Sequence, residues 1–126
     1  MNIIIGDIGN TFTKICVIDE KSLKIIKEFR FESSKIYYQN LLNKQIRNLK
    51  KYNPFIKSAL FSSVVPKYEF LIRKALKKIF KIKLIEIKNK KINKIVKINI
   101  KNKNQVGSDR IANAVSVYKK FKANCI

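Results

Sequence analysis

The chain has 126 residues, 46% of them hydrophobic, which is enough for one buried core, and a single domain is expected. Lys or Asn interrupts every Ile-rich run, so no stretch is apolar enough to span a membrane, and Met1-Asn2-Ile3 lacks the positive start of a signal peptide. A net charge of +21 invites a nucleic-acid partner, but only four of the 29 basic residues are Arg; scattered Lys with abundant Ile and Asn reads more simply as the residue usage of an A+T-rich genome, and no nucleic-acid contact beyond non-specific charge attraction is expected.

In chain order, Ile3-Ile4-Ile5 reads as a buried strand and Thr13-Lys14-Ile15-Cys16-Val17-Ile18 as its hairpin partner. Between them lies Asp7-Ile8-Gly9-Asn10-Thr11-Phe12-Thr13-Lys14. Gly9 is free to take positive φ, Asn10 tolerates left-handed geometry, and Thr11 and Thr13 supply hydroxyls. A tight turn of amides and hydroxyls suits anionic oxygens, and Asp7 at a strand end is placed to hold a divalent cation beside a phosphate. The same residues also suit an ordinary hairpin turn.

Leu23 to Phe31 is expected to add a third strand with Leu23, Ile25, Phe29 and Phe31 on one face, completing an antiparallel meander. Ser33 or Ser34 is a candidate N-cap for a helix carrying Tyr38, Leu41, Leu42, Ile46, Leu49 and Tyr52, stopped by Asn53-Pro54. Phe55 to Val65 reads as an interior strand. Pro66 opens a second helix with Tyr68, Leu71, Ile72, Ala75, Leu76 and Ile79 on its apolar side, and Ile82 to Ile87 reads as another strand. This order predicts an α/β domain with a mixed sheet and helices on the sheet faces. Lys88 to Lys103 is uninformative, with Ile92 to Ile100 an extended connection or a short edge strand. Cys16 and Cys125 stand at no metal-site spacing and read as buried thiols of a reducing cytosol.

The last informative stretch is Val106-Gly107-Ser108-Asp109-Arg110-Ile111-Ala112-Asn113-Ala114-Val115, with helical periodicity carried on by Tyr118 and Phe121. Asp109 in a first helical turn is favoured by the dipole alone. It also suits a general base beside a cation, Arg110, able to hold a carboxylate.

The stretches Asp7-Ile8-Gly9-Asn10-Thr11, Ser62-Ser63-Val64-Val65-Pro66 and Val106 to Val115 together resemble type III pantothenate kinase, in that order and at similar separations. The resemblance implies a ribonuclease-H-like, actin-like ATPase domain over residues 1–126 and a cytoplasmic enzyme, homodimeric when full length. Such an enzyme transfers the γ-phosphoryl of ATP to pantothenate with Mg²⁺ and a monovalent cation, K⁺ or NH₄⁺. It further implies that Asp7, Ile8, Gly9, Asn10, Thr11, Phe12, Thr13 and Lys14 form a phosphate loop with Asp7 near Mg²⁺. Gly107, Ser108, Asp109 and Arg110 would hold pantothenate, with Asp109 as proton acceptor and Arg110 on the carboxylate. The family's Tyr-x-Asn-Pro-x-Glu run is replaced by Ile100, Lys103 and Gln105, a departure that bears on pantothenate more than on phosphate. The family's second phosphate loop, its cation site and its second domain are not in these residues, so the chain alone is expected not to turn over its substrates. The rival expectation is a non-catalytic regulatory or basic nucleic-acid-associated module of the same ancestry.

Overall fold

The computed structural model describes residues 1–52, 55–88 and 99–122. Asn53-Pro54, the loop Asn89-Lys90-Lys91, the segment 92–98 and Cys125 lie outside the described residues. Among the described residues five strands form one sheet in the order β3-β2-β1-β4-β5: β1 (Asn2–Ile8), β2 (Phe12–Asp19), β3 (Ile25–Glu32), β4 (Ile56–Ser63) and β5 (Leu84–Glu86). β1, β2 and β3 pair antiparallel as the expected meander, while β1 and β4, and β4 and β5, pair parallel. A 3-10 turn (Ser33–Tyr37) leads into α1 (Gln39–Lys50), α2 (Pro66–Phe80) joins β4 to β5, and α3 (Ser108–Phe121) follows a 3-10 turn at Lys103–Gln105.

One face of the sheet is the core. Ile4 and Ile8 of β1, Ile15 and Val17 of β2, and Ala59 and Phe61 of β4 pack there against Leu42, Ile46 and Leu49 of α1 and Ile72, Leu76 and Ile79 of α2. Burying each such large side chain contributes about 1.5–3 kcal/mol, which is why both amphipathic helices lie on this face. Pro66 occupies the first turn of α2, as its fixed φ favours, and Lys81 ends that helix in the left-handed conformation at φ 61°.

The third strand differs from its expected pattern. Leu23 is 70% exposed at φ 56° in the preceding turn, and a register shift between Val17 and Ile18 pairs Ile18 with Ile25 instead of continuing the alternation. The irregularity inserts one residue, so Ile25 leaves the face that Phe29 and Phe31 share. The preceding turn is tied by Asp19, whose carboxylate accepts the backbone N–H and the hydroxyl of Ser22, both at 2.8 Å. Those bonds hold the Asp19 carboxyl below its ordinary range.

The opposite face carries Lys14, Cys16 and Ile18 of β2 with Leu60 and Ser62 of β4. Cys16 is buried, and its thiol lies 3.6 Å from Glu28 Oε2. Burial, with the negative charge and hydrogen bond of Glu28, pushes the thiol up to about 11. Because the folded value exceeds the ordinary one of 9.0, the thiol's contribution to stability is present below about pH 9 and lost as pH rises towards 11. In a Cys125→Ser background, the pH profile for alkylation of Cys16 should have its midpoint near 11 and shift down in Glu28→Gln; a wild-type midpoint at or below 9 would contradict this environment.

Gly6 makes the core face possible. A Cβ there would sit 2.1 Å from Cε1 of Phe61, because the Phe61 ring lies directly over the β1 backbone. Gly6→Ala is expected to lower stability by about 1–3 kcal/mol through overpacking. Chemical denaturation should show the loss and its partial recovery in the double variant Gly6→Ala/Phe61→Leu.

Candidate active site

β1 and β4 run parallel, so their C-terminal ends open at one edge of the sheet, where the Val64 N–H donates to Ile8 O at 3.1 Å. The first turn leaves this edge and closes tightly, with the Gly9 N–H donating to Phe12 O at 3.0 Å. No glycine has positive φ and neither has Asn10, contrary to the left-handed geometry expected of this turn. Gly9 is required for a different reason: a Cβ on it would lie 2.7 Å from the Phe12 carbonyl oxygen.

The eight residues of that stretch divide by exposure. Asp7, Asn10, Thr11, Phe12 and Lys14 are exposed, while Ile8 and Thr13 are fully buried. The Ile8 side chain belongs to the core, so only its backbone faces the edge. The Thr13 hydroxyl is turned inward, 2.8 Å from Ser33 Oγ, and Ser33 Oγ donates to Gly9 O at 2.7 Å. Ser33 was a candidate cap for the first helix; that helix instead starts at Gln39, and Ser33 is spent on the turn. The Lys14 ammonium lies 3.5 Å from Glu28 Oε1, a pairing across β2 and β3 that residue spacing alone did not signal.

Ser108 joins the stretch 106–115 to the stretch Ser62-Ser63-Val64-Val65-Pro66. Its buried hydroxyl donates to Ser63 O at 2.8 Å and accepts the Ser63 N–H at 2.9 Å. With both its donor and an acceptor position used, this hydroxyl seats the start of α3 on the end of β4. Ile111, also buried, packs the next turn down, whereas Tyr118 and Phe121 are exposed. Asp109 therefore stands in the first turn of α3, beside the sheet edge. Its Oδ1 lies over Gly107, where an added Cβ would come within 2.3 Å of it.

Between α3 and the second sheet face is a cavity of about 510 Å³ lined by Asp7, Lys14, Cys16, Ser62, Asp109 and Asn113, among others. It brings together the two acids, Asp7 and Asp109, that stand 102 positions apart by number. Ser62 lies in register with Asp7, and its hydroxyl is buried with no hydrogen-bond partner among the described residues. A second cavity, about 460 Å³, lies on the other side of Asp109 and is lined by Lys88, Gln105, Gly107 and Arg110. One carboxylate thus serves two compartments, one holding Asp7 and Lys14 and the other cationic. Among the described residues no three His, Cys, Asp or Glu side chains cluster as a protein-only metal cage. An exposed carboxylate such as Asp7 still fits Mg²⁺, which commonly takes one or two carboxylates and completes its shell with water and phosphate oxygens.

A crystal structure of a candidate sugar kinase from Cytophaga hutchinsonii ATCC 33406 overlaps 68% of this chain and 36% of its own at a TM-score of 0.46 and 16% identity, too partial a likeness to carry an argument. Sequence relatives are closer. A type III pantothenate kinase of Pelagibacter ubique (strain HTCC1062) is 45% identical over 115 residues, covering 91% of this chain and 45% of that relative. One from Petrotoga mobilis (strain DSM 10674 / SJ95) is 31% identical over 125 residues, covering 95% of this chain and 48% of that relative. The chain spans about half the length of these curated relatives. The family profile described as type III pantothenate kinase matches residues 3–126, and the chain belongs to that family.

Proposed function

We propose that these residues form the phosphate-turn and acceptor side of a site that transfers the γ-phosphoryl of ATP to the primary hydroxyl of pantothenate. The observation that carries the reading is the single cavity shared by Asp7, at the end of β1, and Asp109, in the first turn of α3. Family membership supports ATP as donor and pantothenate as acceptor.

On this reading the terminal phosphates lie against Gly9 to Phe12 and the acceptor hydroxyl faces Asp109. The hydroxyl oxygen attacks the γ-phosphorus, its proton passes to the Asp109 carboxylate, and the bond to the β,γ-bridging oxygen breaks to release ADP. Arg110, on the far side of Asp109, is positioned for the pantothenate carboxylate, with Lys88 adding positive charge to that compartment. Gln105 stands there in place of the family's Glu, so the compartment holds one acid fewer beside Arg110. Lys14 supplies a cation for a phosphate oxygen once it leaves Glu28. Mg²⁺ held near Asp7 would supply neutralisation of phosphate charge. A monovalent cation and a homodimeric full-length form are further parts of the proposal, resting on the family resemblance alone.

Asp109→Asn keeps the shape of the side chain and its place in the helix while removing its basicity. Assayed with Mg²⁺, K⁺, ATP and pantothenate, with the C-terminal half of the Pelagibacter relative added in trans, the variant should form phosphopantothenate ~10²-fold or more slowly than the unsubstituted chain. Near-equal rates would reduce Asp109 to a helix-dipole partner. Ligand binding with no product in either mixture would favour a non-catalytic module.

A further inference from the structure

Ser33 stands 24 positions beyond Gly9 and belongs to none of the stretches that carry the family resemblance, yet three hydrogen bonds join it to the first turn. Its hydroxyl has one proton, donated to Gly9 O at 2.7 Å, so the contact at 2.8 Å with Thr13 Oγ1 must be a bond donated by Thr13. The Ser33 backbone N–H donates to Thr11 O at 2.8 Å. Ser33 and Thr13 are both fully buried, so water does not compete for these bonds.

The consequence follows from peptide geometry. All peptide bonds described are trans, and in a planar trans unit the N–H points opposite to the C=O. Drawing the Gly9 carbonyl inward to Ser33 therefore turns the Asn10 N–H outward. Among the described residues, the N–H groups of Asn10 and Thr11 have no hydrogen-bond partner, and both residues are exposed. A free four-residue turn can flip this peptide and present the carbonyl oxygen, which repels an anion. We propose that Ser33 is a positioning residue for the phosphate turn: by anchoring the Gly9 and Thr11 carbonyls it holds the Asn10 N–H towards a phosphate oxygen. This rests on the reading of Gly9 to Phe12 as a phosphate site.

The test separates orientation from stability. Ser33→Ala removes the lock but also strands the buried Thr13 hydroxyl, whereas Thr13→Val/Ser33→Ala removes both hydroxyls and should recover much of the lost thermal stability. In both variants the residual dipolar coupling of the Asn10 N–H should collapse towards an averaged value, while couplings in β4 and α2 stay as they were. Titration with Mg·ATP, with the C-terminal half of the Pelagibacter relative present, should show about tenfold weaker binding in both, and no change in the control Ser22→Ala. An unchanged Asn10 coupling in the double variant would overturn the lock. A lost coupling with unchanged Mg·ATP affinity would overturn its role in binding. If the unsubstituted chain does not bind Mg·ATP even with the C-terminal half of the Pelagibacter relative added, while its Asn10 coupling depends on Ser33, the lock stands and the phosphate reading of the turn fails.

Discussion

The direction of β1 relative to its two neighbours determines where chemistry can occur. β1 is antiparallel to β2, so a short turn can leave its end, and parallel to β4, so the ends of β1 and β4 open at the same edge. Were β4 antiparallel to β1, the turn and the start of α3 would lie at opposite ends of the strands, and were β2 parallel to β1, no short turn could join them. The Val64 N–H bonded to Ile8 O and the Ser108 hydroxyl bonded to Ser63 are local results of that arrangement. Asp7 and Asp109 line one cavity because both are carried to this edge, one by the strand and one by the helix seated beside it.

Most of the architecture was legible because it rests on periodicity. The meander, the interior strand ended by Pro66, and the two helices with three- and four-residue apolar spacing all form where their patterns place them, since each pattern has only one way to bury its apolar side. Boundaries drifted by a few residues. Leu23 and Ile25 misled because strand alternation assumes an unbroken register, and a one-residue irregularity between Val17 and Ile18 is invisible in composition.

The candidate site was legible as a set of residues to look for, and its geometry was not. Motif resemblance picked out Asp7, Lys14, Asp109 and Arg110; Asp7 and Lys14 line one cavity, Arg110 the other, and Asp109 both. Spacing gave no sign that Ser33 would reach back to Gly9, that Glu28 would pair with Lys14, or that Ser108 would spend its hydroxyl on Ser63 instead of a ligand. Each is a contact between residues 14 or more positions apart by number, decided by sheet register and packing. A serine before a helix is an N-cap by local rules; Ser33 departs from them because a partly buried carbonyl at the turn offers its hydroxyl a better partner than an exposed helix end does.

The rim of the site is held by hydroxyls more than by charges. Ser33 and Ser108, both fully buried, each bond the backbone of a distant segment, whereas the three ion pairs among the described residues all involve partly exposed groups. Exposed pairs contribute about 0–1 kcal/mol and weaken with salt, while a buried hydroxyl left unpaired costs about 1–3 kcal/mol. In a chain carrying 29 basic residues and eight acidic ones, a rim built on ion pairs would draw on the scarcer sign and expose its geometry to ionic strength. Neutral clips avoid both problems. They also leave Asp7, Lys14, Asp109 and Arg110 free of the task of holding the rim together, so those charges can answer to a ligand without the surrounding backbone depending on them.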